Sequence, residues 1–182
     1  MDELRRDAAR NRAQIIAAAQ SFAVNGEPLA LNAVARAANV GVGTVYRHFT
    51  TVEELEETLV WERFDDLDEL LRDNSAGQLE RVLRAHFTLL ANDALFEKVI
   101  ARSEPALEQT AEKRNGLIGQ LQELMDLAKT RGQLRPEVDA QVMLLLLCGL
   151  AHTLRIAQMT PDSAQAQTLL RVLLDGIRTE SR

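Results

Sequence analysis

The sequence predicts an all-α protein of about nine helices, and three observations support this fold class. Ala, Leu, Glu, Arg and Gln dominate the 182 residues, and these residue types favour helices. Apolar residues recur at intervals of three and four, whereas the alternation typical of strands is absent. The composition, 46% hydrophobic and 26% charged, is that of an ordinary globular protein. A chain of this size with a single cysteine is expected to build its core without disulfides.

Clear stop and turn signals separate the first three predicted helices. The first helix covers residues 4–24 and ends at residues 25–28, NGEP. A short helix opens with Asn32 as a plausible N-cap and runs to about residue 38. Asn39 stands where the turn needs a left-handed residue, and a second short helix covers residues 43–49. Two short helices joined in this way are typical of a helix-turn-helix.

The rest of the chain predicts longer helices. Thr51 and Glu54 form a capping box that starts a long helix, and residues 73–77 end it. Further helices are predicted over residues 79–90, 103–132 and 136–160, with a last helix capped by Asp162. The chain is therefore expected to consist of a helix-turn-helix domain, residues 1–50, and a larger helical domain, residues 51–182.

Charge is distributed unevenly between these two parts. The whole chain carries a net charge of −6. Residues 1–50 hold six arginines against four acidic residues, a net of +2, so the remainder of the chain carries −8. A basic end on an acidic body suggests a small surface that faces nucleic acid.

The second short helix carries side chains that could contact DNA. Val45 and Phe49 are expected to pack inward, against the first long helix. The side chains left outward, all able to hydrogen-bond to bases or phosphates, are Thr44, Tyr46, Arg47 and His48. Gly41 and Gly43 leave the backbone bare near the helix start, where the amides and the helix dipole attract a phosphate. A plain αα-hairpin with solvated polar residues would fit the same pattern, so both interpretations stay open.

Several features between Ile15 and Leu55 occur together in one order. They are Phe22 at the end of the first helix, then Val34-Ala35, Asn39-Val40, the stretch GTVYRHF at residues 43–49, and Leu55. Together they resemble the DNA-binding domain of the TetR family of transcriptional regulators. The resemblance implies an all-α homodimer that binds pseudo-palindromic double-stranded operator DNA. It also implies a C-terminal ligand-binding and dimerisation domain through which a small-molecule effector releases the DNA.

The resemblance also implies which residues contact DNA. The candidates on the two short helices are Asn32, Gly43, Thr44, Tyr46, Arg47 and His48. Arg5, Arg6 and Arg10 would act as an N-terminal arm on the backbone or in the minor groove. The family commonly has a phosphate-binding Lys at the start of the fourth helix, where this chain has Val52.

The last two predicted helices are apolar on more than one side. In a chain of 182 residues, such helices are expected to cover a partner, which favours an isologous dimer built as a four-helix contact. The expected interface residues are Leu146, Leu150, Leu154, Leu170, Leu173 and Ile177.

Aromatic, sulfur and imidazole side chains of the larger domain suggest a small-molecule pocket. The candidate lining residues are Trp61, Phe64, His86, Phe87, Leu90, Phe96, Met125, Cys148 and His152. Apolar pockets with few polar groups are typical of small-molecule sites. An ordinary core would use the same residues, because a single His on an apolar face is more often part of the core.

The sequence gives little support to any enzyme class. No P-loop, dinucleotide fingerprint, G-x-S-x-G motif or metal-ligand spacing occurs, so we expect neither a catalytic site nor a metal or cofactor. The absence of a signal peptide and of an apolar run of about 20 residues predicts a cytoplasmic protein that does not enter the membrane. The preferred interpretation is a dimeric transcriptional regulator, by family habit a repressor. The alternative is an all-α ligand-binding or protein-interaction module without operator binding.

Overall fold

The computed structural model describes residues 2–72 and 77–179, and within these ranges the chain is entirely α-helical apart from turns and one isolated bridge. The predicted all-α fold is confirmed. The ten helices of the described residues are α1 (Asp2–Val24), α2 (Leu31–Ala37), α3 (Val42–His48), α4 (Val52–Leu59), α5 (Trp61–Arg72), α6 (Gln78–Asn92), α7 (Ala94–Ile100), α8 (Glu108–Thr130), α9 (Ala140–Ile156) and α10 (Ala164–Gly176). None of them has both the length and the apolar character that a membrane crossing requires.

The helices group into two compact units. The N-terminal unit contains the residues up to Trp61 together with Pro105–Thr110, and the second unit contains Glu62–Glu104 and the residues from Ala111 onward. The turn signals of the sequence place a domain boundary after residue 50, and its exact position stays a prediction. The segment Pro105–Thr110 is far from the other residues of its unit in sequence, so sequence patterns gave no indication of its membership.

The core of the N-terminal unit forms where four helices meet. Ile15 and Ala19 of α1, Val34 of α2, Val45 of α3 and Leu55 of α4 are completely buried. The spacing of four residues between Ile15 and Ala19 places both on one face of α1, against which the short helices pack. Helices of seven residues are too short to be stable alone, so this contact holds α2 and α3 in place.

The turn between α2 and α3 has the conformation predicted from Asn39. Its φ of 53° is left-handed, and the amide of Val40 donates to the carbonyl oxygen of Ala35 at 3.1 Å. The expected N-cap role of Asn32 is wrong. Ala30 occupies that position, and Asn32 already lies in the first turn of α2, where its side chain cannot cap the helix.

The long helix expected after Thr51 is split in two. Thr51 caps α4 as predicted, since its Oγ1 accepts a hydrogen bond from the amide of Glu54 at 3.2 Å. The Glu54 carboxylate binds the amide of Thr50 at 2.6 Å, one residue before the position a standard capping box would use. At Val60 the backbone turns to φ −108° and ψ 2°, and its amide donates to the carbonyl oxygen of Glu57, three residues back. This tighter bond ends α4 before α5 begins.

Aromatic side chains lie at the centre of the second unit. Phe64 of α5, Phe87 of α6 and Phe96 of α7 are buried, together with Met125 of α8 and Leu147 of α9. The rings of Phe64 and Phe96 meet edge to face with centroids 5.1 Å apart, a favourable aromatic geometry. Helix α6 lies along α9, and α9 in turn contacts α10.

Helix α7 has no counterpart among the predicted helices. Asp93 caps it, because Oδ1 accepts a hydrogen bond from the amide of Phe96 at 2.9 Å. Oδ2 of the same carboxylate accepts from Nε of Arg63 at 3.1 Å, which ties α5 to the start of α7. The apolar stripe of α6 continues through this capped turn, so periodicity alone does not separate the two helices.

Three helix starts differ from the predicted ones by a few residues. Helix α8 begins at Glu108, three residues after Pro105, and α9 begins after Asp139, whose Oδ1 accepts from the amide of Val142 at 2.7 Å. Ser163 caps α10 in place of Asp162, since its hydroxyl accepts from the amide of Ala166 at 3.3 Å. The predicted helix end at residues 73–77 lies, except for Gly77, outside the described residues.

Candidate nucleic-acid interface

Helix α3 is anchored on one side and open on the other. Val45 is completely buried and Phe49 is almost so, and these residues are one turn apart. Tyr46 keeps 48% of its surface exposed, and Arg47 is exposed beside it. Because the anchors fix the orientation of the helix, the polar face is held outward. This is the arrangement a helix needs to enter a major groove about 12 Å wide.

The structure places all the predicted contact residues of the two short helices where solvent can reach them. Thr44 and His48 are half-buried at the edges of the exposed face of α3, and Gly43 is exposed in its first turn. Asn32 is exposed on α2. The helix dipole favours an anion at the start of α3. Whether each residue contacts DNA stays a prediction.

The N-terminal arginines lie on a helix. Arg5, Arg6 and Arg10 are exposed on the first turns of α1, which begins at Asp2, so the predicted arm has helical structure in this chain. Arg12, further along α1, places its guanidinium carbon 5.5 Å from the centroid of the Phe49 ring. This cation–π contact ties α1 to the end of α3, so the position of α3 depends on α1 as well.

A shallow cleft of about 450 Å³ lies beside Tyr46. Its other walls are Leu29–Asn32 before and in α2, and Thr50–Glu53 at the start of α4. The hydroxyls of Thr50 and Thr51 are polar groups that the sequence interpretation did not include, and the N-cap role of Thr51 was the only signal that pointed to them. Val52 is half-buried here, and Glu54 adds a negative charge at the helix start. The Thr50 hydroxyl donates to this carboxylate at 2.8 Å, and no lysine is among the described residues that line the cleft.

Two family models match this chain, and together they cover most of it. The model described as bacterial regulatory proteins of the tetR family matches residues 15–58. The model described as the C-terminal domain of SbtR-like transcriptional regulators matches residues 75–179, more than half of the chain. The chain belongs to the TetR family. It is a DNA-binding transcriptional regulator, as the resemblance of residues 15–55 implied.

Solved structures of TetR-type regulators agree with this assignment. The TetR regulatory protein of Mycobacterium vanbaalenii is 30% identical over 97% of this chain and 99% of that one, with a TM-score of 0.53. FadR of Bacillus subtilis is 22% identical over 91% of this chain and 99% of that one, with a TM-score of 0.63. NalD of Pseudomonas aeruginosa is also 22% identical, over 97% of this chain and 100% of that one, with a TM-score of 0.65. At 22% identity, the comparisons with FadR and NalD show similarity of fold only. Comparison with curated protein sequences gives no match.

The predicted effector pocket of this TetR-family protein is only partly assembled by the structure. His86, Phe64 and Phe96 lie together, with the rings of His86 and Phe96 6.1 Å apart. The other candidates buried in the same unit are Phe87, Leu90 and Met125. These side chains form packed core, as the alternative interpretation of the sequence allowed. Nε2 of His86 has no hydrogen-bond partner among the described residues, which is uncommon for a buried polar atom.

The remaining three pocket candidates are Trp61, Cys148 and His152, and they are less buried than this cluster. Trp61 belongs to the N-terminal unit. The side chain of His152 is 60% exposed, with Nδ1 3.7 Å from a carboxylate oxygen of Glu97. Whether Trp61 and His152 line a pocket with His86 stays a prediction, because helical spacing does not tell which side of a helix is covered. Cys148 is half-buried, and burial together with the nearby Glu97 raises the pKa of its thiol to about 11.

A cleft of about 610 Å³ opens at another place in the second unit. Its floor is apolar, with Leu83, Leu134 and Leu174 among its residues, and Arg131 and Arg178 stand at its rim. No predicted pocket residue lines it. Its walls come from the start of α6, the end of α8 and the end of α10, and sequence spacing cannot indicate that three helix ends converge. Within the described residues, no cluster of three or more His, Cys, Asp or Glu side chains could hold a metal ion.

The predicted dimer surface also needs correction. Leu154, Leu170 and Ile177 are buried inside this one chain, so they are not available to a partner. Leu146 is exposed, and Leu150 and Leu173 are half-buried. The apolar side chains that α9 and α10 expose are Val142, Leu145, Leu146, Ile156, Leu169 and Val172. We call this set the α9–α10 apolar face.

Proposed function

We propose that the protein is a homodimeric, cytoplasmic repressor, without enzymatic activity, that binds a pseudo-palindromic operator through α3. A small molecule bound in the second unit would release the DNA. One observation carries the DNA-binding role: Val45 and Phe49 are buried while Tyr46 and Arg47 on the same short helix are exposed. Two such helices in a symmetric dimer reach successive major-groove faces when they are about 34 Å apart.

The α9–α10 apolar face supports the dimer. Leu145 is 67% exposed and Val172 is 65% exposed, although both are large apolar residues on neighbouring helices. Apolar side chains clustered in this way usually mark a surface that a partner covers. A two-fold symmetric contact of these helices would bury the same residues on both copies.

Two of the structural relatives agree with an effector-released repressor. FadR of Bacillus subtilis was crystallised in complex with stearoyl-CoA. NalD is described as the secondary repressor of the MexAB-OprM multidrug efflux pump in Pseudomonas aeruginosa. The cleft of about 610 Å³ in the second unit has the size of a small-molecule site. We infer a small-molecule effector for this chain, with the class of molecule left open.

The experiment that tests this function measures DNA binding by the full chain. The upstream region of its own gene is used first, and then duplexes selected from random DNA. Affinity for the selected duplex should fall steeply when salt rises from about 50 to about 200 mM, because phosphate contacts release counterions. Arg47→Ala should weaken binding by about 10- to 100-fold, the loss expected for a base or phosphate contact.

Arg171→Ala is the matched control, because Arg171 is an exposed arginine on α10 in the other unit. It should leave the affinity for the duplex unchanged. An equal effect of both substitutions, or no duplex selected from a random library, would overturn operator binding. Those results would favour the alternative, an all-α ligand-binding or protein-interaction module.

A further inference from the structure

Three helix ends of the second unit surround the cleft of about 610 Å³. Its walls are the start of α6, the end of α8 with the loop that follows it, and the end of α10. We call it the α6–α8–α10 cleft. Its floor consists of apolar side chains that are already buried in this chain, namely Leu83, Ala128, Leu134, Leu174 and Ile177. A ligand in the cleft would therefore bury an apolar body against side chains that are fixed in the core.

Backbone hydrogen bonds join two of these walls. The loop after α8 runs antiparallel to the residues that follow α10, and the amide of Arg135 donates to the carbonyl oxygen of Ile177 at 2.9 Å. The amide of Thr179 donates to the carbonyl oxygen of Gln133 at 3.4 Å. The hydroxyl of Thr179 donates to the carbonyl oxygen of Gly132. The backbone therefore holds the shape of the cleft, as is usual for a preformed small-molecule site.

The carbonyl oxygens at the end of α8 already accept hydrogen bonds. Gly132 has a left-handed φ of 67°, and its amide donates to the carbonyl oxygen of Lys129 at 2.9 Å. The amide of Gln133 donates to the carbonyl oxygen of Ala128 at 3.0 Å. This is the Schellman ending of a helix, which engages carbonyl oxygens that would otherwise stay unpaired. A cationic head group would therefore find these two acceptors occupied.

Among the described residues, three charged side chains line the rim of the cleft, and two of them are paired. Arg178 lies 2.7 Å from a carboxylate oxygen of Glu80 and 3.2 Å from one of Asp175. Glu80 also pairs with Arg84 at 2.8 Å, so the network holds two cations and two anions. The third side chain, Arg131, is exposed, and its guanidinium makes no hydrogen bond or ion pair with a described residue. The described part of the rim therefore carries one uncompensated positive charge.

We propose that the α6–α8–α10 cleft binds an amphipathic organic anion, with the apolar chain on the leucine floor and a carboxylate at Arg131. A guanidinium suits this head group because two of its N–H donors can bind the two carboxylate oxygens. Burial of the chain supplies most of the affinity, and the arginine selects the sign of the head group. This inference rests on the proposed function for the role of the ligand as an effector, whereas its binding is measured on the protein without DNA.

Binding is measured by calorimetry of the full-length protein, with decanoate as the probe at concentrations well below those that form micelles. Decyltrimethylammonium has the same chain with a cationic head group, and it should bind at least tenfold more weakly because it cannot pair with a guanidinium. Acetate has the head group without the chain. It should bind more than a hundredfold more weakly, since burial of each CH₂ strengthens binding about fourfold. No binding of decanoate, or smaller differences from either of the other probes, would overturn the proposal.

The role of Arg131 is tested by removing its charge. Arg131→Gln changes an exposed position, so the fold should be preserved, and the affinity for decanoate should fall about tenfold. Arg171→Gln is the matched control, because Arg171 is an exposed arginine on α10 that does not line the cleft. It should leave the affinity for decanoate unchanged. Equal losses in the two variants, or no loss in Arg131→Gln, would overturn the proposal.

The position of the chain is tested by NMR spectra of the leucine methyl groups. Decanoate should shift the methyl resonances of Leu83, Leu134 and Leu174, which form the floor of the cleft. The methyl resonances of Leu145, on the α9–α10 apolar face, should stay unchanged. Shifts at Leu145 without shifts at the floor would mean that decanoate binds the apolar face, and would overturn the proposal.

Failure of this inference and failure of the proposed function give different results. If no duplex is selected from random DNA, operator binding fails, while calorimetry without DNA still decides whether the cleft takes an amphipathic anion. If a duplex is selected but decanoate does not bind, operator binding stands and the proposal for the cleft is overturned.

Discussion

Between pH 7.5 and pH 5 the free energy of unfolding is expected to fall because of His86. The imidazole is buried on α6, where burial lowers its pKa from the usual 6.5 to about 4. The unfolded chain, with a pKa near 6.5, takes up a proton in this range while the folded chain does not. Protonation therefore favours the unfolded state, and stability is lost as the pH falls below 6.5.

The two pKa values set the size of this loss. With 6.5 in the unfolded state and about 4 in the folded state, linkage gives a loss of about 1 kcal/mol at pH 6 and about 2 kcal/mol at pH 5, per protomer and relative to pH 7.5. Glu80 acts in a lower range. A hydrogen bond from Arg84 lowers the pKa of its carboxyl group, so its contribution is lost only as the pH falls below about 4.5.

The assay is urea denaturation of the full-length protein at pH 7.5, 6 and 5, at one fixed protein concentration. In His86→Leu the loss between pH 7.5 and pH 5 should shrink by about 2 kcal/mol, because the titrating group is gone. At pH 7.5 this variant should stay within about 1.5 kcal/mol of the wild type, since the volumes are similar and an unpartnered polar atom is removed. Gln165→Ala, at an exposed position on α10, removes no titrating group and is the control, so it should retain the wild-type pH dependence. A parallel decline in wild type and His86→Leu would refute the reasoning.

Three further predictions concern other parts of the chain. Val172→Glu places a charge on the α9–α10 apolar face and should give monomers in sedimentation experiments. Gln165→Glu, on a polar part of α10, should leave the protein dimeric. A dimer in both variants would exclude this face as the dimer interface. Cys148, with a pKa of about 11, should react with a thiol reagent far more slowly in the folded than in the urea-unfolded protein. The reaction rate of the folded protein should still rise above pH 9, and a rate that reaches a plateau below pH 9 would contradict the raised pKa. Asp93→Ala removes the cap of α7 and should cost about 1 to 2 kcal/mol in urea denaturation, and an unchanged midpoint would mean that Phe96 holds the helix without its cap.

Local signals were sufficient to predict the helix-turn-helix. Asn39 predicted a left-handed turn because few other residues adopt that conformation at low cost, and the turn has φ 53°. Thr51 predicted a helix start because its hydroxyl can satisfy an amide three residues later. The inward Val45 and Phe49 predicted which face of α3 stays outward. Each of these inferences depends on atoms within a few residues, which a sequence pattern describes directly.

Contacts between distant segments account for most of what sequence analysis missed. The apolar periodicity of α10 includes Leu170, which the same chain buries, and Val172, which it leaves exposed. Periodicity counts apolar residues on a face but does not show whether the protomer or a partner covers them. The burial of Glu57 was equally hard to predict, because an acidic residue in a run of glutamates is typical of a solvated helix face. Its burial depends on two amides about fifty residues later in the chain.

The aromatic residues that fluoresce in the near ultraviolet are one tyrosine and one tryptophan, and they occupy different functional places. Tyr46 lies on the exposed face of α3, whereas the indole of Trp61 donates a hydrogen bond to Oγ1 of Thr110. Light absorbed near 295 nm excites the indole alone, so the emission spectrum reports the polarity around Trp61 and Thr110 without any label. The phenol, which lies on the surface proposed to meet DNA, is excited only together with the indole. The unmodified protein therefore carries one optical probe, the indole, that can be read without interference from the exposed face of α3.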